Sequence, residues 1–158
     1  MGACRVKIAK DKAELVKSLT NMDKHTGPFP TYADVMVFAA ALGANRKKRV
    51  PLGQTSKRDP APISMDIFVS RGYDLFFKLL AIAENKQAKI LSPNDATIEE
   101  ERAQIFEEYA NGGLEALREE LRGSVDYTER ILLMLSLERE QQKTLDGEEF
   151  DLRKFLNF

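Results

Sequence analysis

Residues 31–52, TYADVMVFAAALGANRKKRVPL, constrain the fold more than any other stretch: an apolar run passes through one glycine into four consecutive bases. Thr31-x-x-Asp34 is a capping-box pattern, in which the hydroxyl accepts from the amide three residues on and the carboxylate returns to the first residue's own amide. Tyr32, Val35, Met36, Ala39 and Ala40 share one helical face, and Val37, Phe38, Ala41 and Leu42 fill the opposite one. A helix with no polar side belongs in a core or an oligomer interface. Gly43 suits the left-handed position that ends many helices, and cations behind it suit the negative end of the helix dipole. Arg46, Lys47, Lys48 and Arg49 are therefore expected at a surface helix exit, where they either cap and solubilise the helix or meet a phosphate backbone.

The charge distribution sharpens that choice. Residues 1–58 hold 12 Lys/Arg against 4 Asp/Glu, a balance of +8, and residues 59–158 hold 12 against 21, a balance of −9. A basic first third fits a polyanion such as nucleic acid, and an acidic remainder fits a solvated surface or a basic protein partner. With 158 residues and 43% hydrophobic content, the expectation is one compact domain over 1–158. Within it the sequence divides into a basic strand/helix/helix segment over 1–49, a linker over 50–62, an acidic helical segment over 63–142 and a tail over 143–158. Cys4 stands alone and forms no intrachain disulfide. The N-terminus has no signal-peptide core, no run of about 18 uncharged apolar residues occurs, and Met1-Gly2 lacks the serine or threonine a myristoylation motif needs at position six. The expected location is cytoplasmic, with no membrane partner.

Arg5-Val6-Lys7-Ile8 alternates with the period of a half-buried strand. Asp11-x-x-Glu14 offers a second cap, with Leu15, Val16, Leu19 and Met22 on one face of the helix it would start. Residues 23–30 read as a loop. Strand, helix, loop, helix is the order of a ribbon-helix-helix unit, in which two chains pair strands and Arg5 and Lys7 would face a DNA groove. Residues 50–62, VPLGQTSKRDPAP, are the clearest linker and add Lys57 and Arg58 to the basic surface. Ile63, Met65, Ile67 and Val69 alternate like a strand, while Ile67, Phe68 and Arg71 fit a short helix equally well. A helix follows over 73–84 with Leu75, Phe76, Leu79, Leu80 and Ala83 as its apolar stripe. A long acidic helix starts near Thr97, burying Ile98, Ile105, Phe106 and Tyr109, and Asn111-Gly112-Gly113 either ends it or marks a close helix crossing. Tyr127, Ile131, Met134, Leu135 and Leu137 set the last helix, capped by Asp126 or Ser124. Phe150, Leu152, Phe155 and Phe158 make the tail apolar enough to dock. The fold class is mainly α: a compact helical domain with a short N-terminal ribbon-helix-helix-like strand.

Catalytic inventory is thin. His25 is the sole histidine, which disfavours Ser-His-Asp catalysis and two-histidine metal sites within one chain. Cys4 has no base beside it in sequence. Gly53-Gln54-Thr55-Ser56-Lys57 lacks the second glycine and the Gly-Lys-Ser/Thr order of a phosphate loop. Glu99-Glu100-Glu101 and Glu107-Glu108 are explained by a solvated helix face. No catalytic residue, metal or cofactor is expected, and the protein is read as a non-enzyme.

PFPTYADVMVFAAALGANRKKRVPL and ILSPNDATIEEERAQIFEEYANGGLEALREEL resemble the small proteins associated with Dnd systems, the bacterial machinery that replaces a non-bridging phosphate oxygen of DNA with sulfur. The resemblance spans about residues 10–135. TYADVMVFAAAL, DLFFKLLAIAE and NGGLEALR are more faintly similar to the E subunit of that machinery, a compact helical DNA-binding protein with a ribbon-helix-helix-like arrangement. The chain departs from that subunit in its longer 50–62 linker and its extra C-terminal helix and tail. The resemblance implies an accessory role in DNA sulfur modification or linked restriction, with other Dnd-system proteins as partners, and supplies no catalytic residue. The resulting expectation is a homo-oligomeric, non-catalytic DNA-binding accessory protein contacting phosphates through Arg46, Lys47, Lys48 and Arg49, with Lys57, Arg58, Arg5 and Lys7 adding charge. The alternative is a protein-interaction adaptor in the same assembly without direct DNA binding.

Overall fold

The computed structural model describes residues 4–149, and side chains through 144. Helix α2 (Tyr32–Asn45) begins at the Thr31 cap: the Thr31 hydroxyl accepts from the Asp34 amide at 3.3 Å and donates to Asp34 Oδ2 at 2.6 Å. The carboxylate thus returns to the hydroxyl and not to the amide. Gly43 does not end the helix. A Schellman motif does so four residues later, with Lys47 in the left-handed region (φ 54), its N–H donating to the Ala44 carbonyl at 3.1 Å and the Lys48 N–H to the Gly43 carbonyl at 2.8 Å.

Gly43 lies inside the helix because another backbone lies against it. A Cβ at Gly43 would sit 2.0 Å from the Tyr109 carbonyl oxygen, one at Gly113 1.7 Å from the Ala39 carbonyl oxygen, and one at Gly112 1.8 Å from that of Lys48. These glycines are a crossing, not a terminus: α5 (Ala96–Leu121) runs unbroken through them, capped at its start by Asp95. Among the described residues α2 and α5 form the most extensive contact between any two elements.

The remaining elements wrap this pair. Helix α1 (Ala13–Ser18) follows a 3-10 turn over Lys10–Lys12 and has no side-chain cap, because the Asp11 carboxylate accepts from Lys12 and Arg118 instead. It ends before Leu19 and Met22. The undecided stretch after Pro62 is both elements in succession, β2 (Ile63–Ser64) and α3 (Met65–Ser70). In α4 (Asp74–Asn85) the buried face is Phe77, Leu80 and Ala81, so the expected stripe is rotated and Leu75, Leu79 and Ala83 point to solvent. Aromatic packing sets that rotation: Phe77 stacks on Phe106 at 4.0 Å and meets Phe68 edge-on at 5.1 Å. Helix α6 (Tyr127–Glu149) is capped by Asp126 Oδ1, which accepts from the Glu129 amide at 3.1 Å. It continues past residue 142, buries Ile131 and Met134, and leaves Leu135 and Leu137 exposed, contrary to the pattern expected of them. Phe150, Leu152, Phe155 and Phe158 lie outside the described residues.

The N-terminal strand β1 (Arg5–Val6) is present, with Val6 and Ile8 buried and Arg5 and Lys7 outward. Its partner, however, is β2 of the same chain, antiparallel with Arg5 opposite Ser64. The other edge is taken by Glu107, whose Oε2 accepts from the Lys7 amide at 2.5 Å. The strand thus pairs within its own chain, whereas a ribbon-helix-helix unit pairs this strand with that of a second chain. One hydrophobic core joins both charge halves, from Val6 and Val16 through Met36 to Phe106 and Ile131. No helix among the described residues is long and apolar enough to cross a membrane.

Asp34 ties three of these elements together, accepting from Thr31, from Arg71 Nη2 at 2.7 Å and from the Tyr73 hydroxyl at 2.6 Å. Burial alone would raise its carboxyl, but the hydrogen bonds from Thr31, Tyr73 and Arg71, with the Arg71 charge, outweigh burial and hold it below the usual aspartate range. The stability it contributes is complete above the pKa of an unfolded aspartate and is lost as pH falls through the lower folded value. Asp34→Asn is expected to flatten the acid limb of a urea-midpoint-against-pH curve. Parallel curves for wild type and variant through that window would count against the assignment.

Candidate nucleic-acid interface

The chain leaving α2 crosses α5 and is held there by hydrogen bonds to its backbone. The Val50 amide donates to the Glu108 carbonyl at 3.0 Å, and Asn111 Nδ2 donates to the carbonyls of Val50 (3.3 Å) and Pro51 (3.1 Å). Residues 54–56 then run antiparallel to residues 8–10: Lys10 N–H donates to the Gln54 carbonyl and Ser56 N–H to the Ile8 carbonyl, each at 2.8 Å. Pairing resumes at Ile63 opposite Val6, so residues 57–61 loop out from the same strand edge. The stretch read as a linker is tied to the body at both ends and carries Lys57 and Arg58 outward.

This path sorts the eight expected DNA-contacting residues into two groups. Arg46 pairs with Glu138 at 2.9 Å and Glu120 at 3.6 Å, and Lys48 with Glu115 at 3.2 Å. Arg49 pairs with Glu108 at 2.8 Å and Glu84 at 2.9 Å while its guanidinium lies 5.9 Å from the Tyr109 ring centroid. The Tyr109 hydroxyl also donates to Glu84, and this bond, with the Arg49 guanidinium, keeps the Glu84 carboxyl below its ordinary value. These three cations bind α2's exit to α4, α5 and α6. Lys47, in the left-handed region, is exposed and is the member of the run that takes part in no ion pair among the described residues.

Arg5, Lys7, Lys57 and Arg58 form the second group. All four are exposed, and none takes part in an ion pair among the described residues. Two open clefts flank residues 53–55. One, of about 710 Å³, has Arg5 and Lys7 on one wall and Glu100, Glu107 and Glu108 on the other. Burial pushes the Glu107 carboxyl above its usual range, although the Lys7 amide and charge oppose the shift. The other cleft, of about 780 Å³, is lined by Lys10, Gln54, Thr55, Ser56, Lys57 and Arg58. Its two carboxylates are already engaged: Glu14 and Asp59 meet Lys17 at 3.2 and 3.5 Å, and Asp59 accepts from the Tyr32 hydroxyl at 2.9 Å. Its three cations are not. Sequence alone does not single out Lys10, since it follows the alternating tetrad and nothing in its neighbourhood reveals that residues 54–58 return beside it.

No curated protein and no solved structure matches the chain. A family model does, over residues 5–155, which takes in the strand, the second cleft and the six helices among the described residues. Its description is DNA sulphur modification system-associated protein 4, and the chain belongs to that family, which associates it with the Dnd system that the sequence resembles.

Proposed function

We propose that this protein is a non-catalytic accessory factor of the DNA sulphur modification system that binds the DNA phosphate backbone through the Lys10, Lys57 and Arg58 cleft. The observation that carries this reading is the partnering of charges: in that cleft the carboxylates are engaged by Lys17 and Tyr32 while Lys10, Lys57 and Arg58 are exposed and form no ion pair among the described residues. Arg5 and Lys7 extend the basic surface along the strand, and Lys47 contributes from the helix exit. Arg46, Lys48 and Arg49 are better suited to holding helices together, because a phosphate would have to displace carboxylates already within 3.2 Å.

Counterion release makes the reading measurable. The slope of log affinity against log salt falls by about 0.9 for each duplex phosphate that is no longer neutralised. Lys10→Ala/Lys57→Ala/Arg58→Ala is expected to weaken binding and reduce the slope by about 2 to 3. Alanine replacement of residues 46–49 is expected to reduce it by about 1, the share of Lys47. The measurement is fluorescence anisotropy over a salt series with intact, nicked and sulfur-modified duplexes. Wild-type slope in the cleft variant would remove the claim, and weakening confined to the 46–49 variant would return the site to the helix exit.

A second reading has its own support in the exposed leucines of α6 and the −9 balance after residue 58. In it the protein is an adaptor that joins larger subunits of the system. Absence of affinity for all three duplexes, together with co-purification of a larger subunit, would select it.

A further inference from the structure

Helix α6 meets the body along one narrow side. Ile131 and Met134 are buried, Arg130 reaches Glu120 at 3.3 Å, and Glu138 accepts from Arg46. Yet residues 131–137 read ILLMLSL, apolar on every side except at Ser136. A helix apolar all round is stable in water when every side is covered, and this one is covered on one. Leu132 is 60% exposed and Leu135 42%.

Leu132, Leu135 and Arg139 follow the three-four spacing of a helix-pairing seam. Glu129 lies toward the N-terminal end of this exposed side and Arg139 toward the C-terminal end, equidistant from Met134. Both are exposed, and neither takes part in an ion pair among the described residues, unlike Arg130 and Glu138 on the covered side. A charge pattern of one sign at each end is self-complementary when the helix meets a reversed copy of itself. Parallel pairing would set like against like.

We propose that α6 is the interface of a homodimer, packing antiparallel on the α6 of a second copy about a two-fold axis at the level of Met134. Leu132 then packs against the partner's Leu135 and Ser136, and Glu129 faces the partner's Arg139, each contact occurring twice as an isologous interface requires. The opposed helix dipoles favour the same orientation.

Light scattering on the full chain is expected to give twice the mass of one chain. Leu132→Glu/Leu135→Glu is expected to halve it with unchanged circular dichroism, since both side chains are on the surface. Glu129→Arg and Arg139→Glu, singly, are expected to raise the dimer Kd about tenfold, because each loses two symmetric pairs and creates like-charge contacts. The double reversal is expected to restore it. A monomeric wild type, a dimer indifferent to the leucine replacements, or a double reversal no tighter than the single variants would each overturn the proposal. So would a monomer whose leucines are needed only to retain a larger subunit.

Discussion

Gly113→Ala is expected to destabilise the protein by about 3 kcal/mol, the upper end of the usual range for overpacking, or to prevent folding altogether. Helix propensity alone predicts the opposite, a gain of about 1 kcal/mol when glycine inside a helix becomes alanine. Geometry decides between them. The added methyl would lie 1.7 Å from the Ala39 carbonyl oxygen, and a backbone oxygen inside α2 has no rotamer by which to withdraw. Relief requires the two helices to separate over the contact that dominates the core. Gly112→Ala meets the Lys48 carbonyl at 1.8 Å and is expected to behave alike, with the added effect of lifting residues 48–51 off α5. Gly123→Ala is the control: nothing lies within 4 Å of its Cβ, and its φ of 77 confines the cost to about 1–2 kcal/mol of left-handed strain. Urea midpoints separate the cases, and a Gly113→Ala midpoint at or above that of wild type would mean that the helices do not cross this closely.

The same glycines show what is legible in the sequence and what is not. The Thr31 cap, the two-residue period at Val6 and Ile8, and the mainly helical class are readable because each depends on neighbours in the chain. Gly43 looks like a helix end because glycine serves equally at a left-handed terminus and at a close crossing; only the presence of Tyr109 beside it distinguishes the two. The left-handed terminus falls instead on Lys47, a residue type with no preference for it. The rotation of α4 and the exposed leucines of α6 are hidden for a related reason, since a helix apolar nearly all round contains no record of which side is covered.

Charge is the least legible property. The acidic partners of Arg46 and Arg49 lie as far as 92 residues away in the chain, on α4, α5 and α6. Some of the +8 and −9 division is therefore complementarity within one molecule. The basic helix exit is drawn onto the acidic helices, and what remains for an outside polyanion is the residue of that neutralisation. Lys10, Lys57 and Arg58 stand out only after the pairing is known, which is why composition locates a basic third of the chain but not the surface within it.

Asn111→Leu is expected to cost about 3 kcal/mol, because it breaks a buried polar cluster from the side that leaves a charge behind. Lys12 is 1% exposed, and its ammonium donates to Asn111 Oδ1 at 2.9 Å, with Asp11 at 3.1 Å and Glu115 at 3.9 Å. The Asn111 amide meanwhile satisfies the carbonyls of Val50 and Pro51. Leucine at 111 leaves the ammonium short of one partner and both carbonyls short of a donor. Lys12→Met removes the charge with its burial cost and leaves one amide oxygen to be satisfied, so about 1 kcal/mol is expected. The double variant is expected to be less destabilised than the sum of the two by about 1 kcal/mol or more, since the ammonium that Asn111→Leu orphans is no longer there. Strict additivity in the urea-derived cycle would show that the two side chains do not interact. Hydrogen exchange supplies the link to the candidate interface: Asn111 anchors the start of the segment that returns beside Lys10, so the Val50 amide and the Lys10 amide, which donates to the Gln54 carbonyl, should lose protection in Asn111→Leu. If protection at both is retained, the segment carrying Lys57 and Arg58 is positioned by the strand pairing alone.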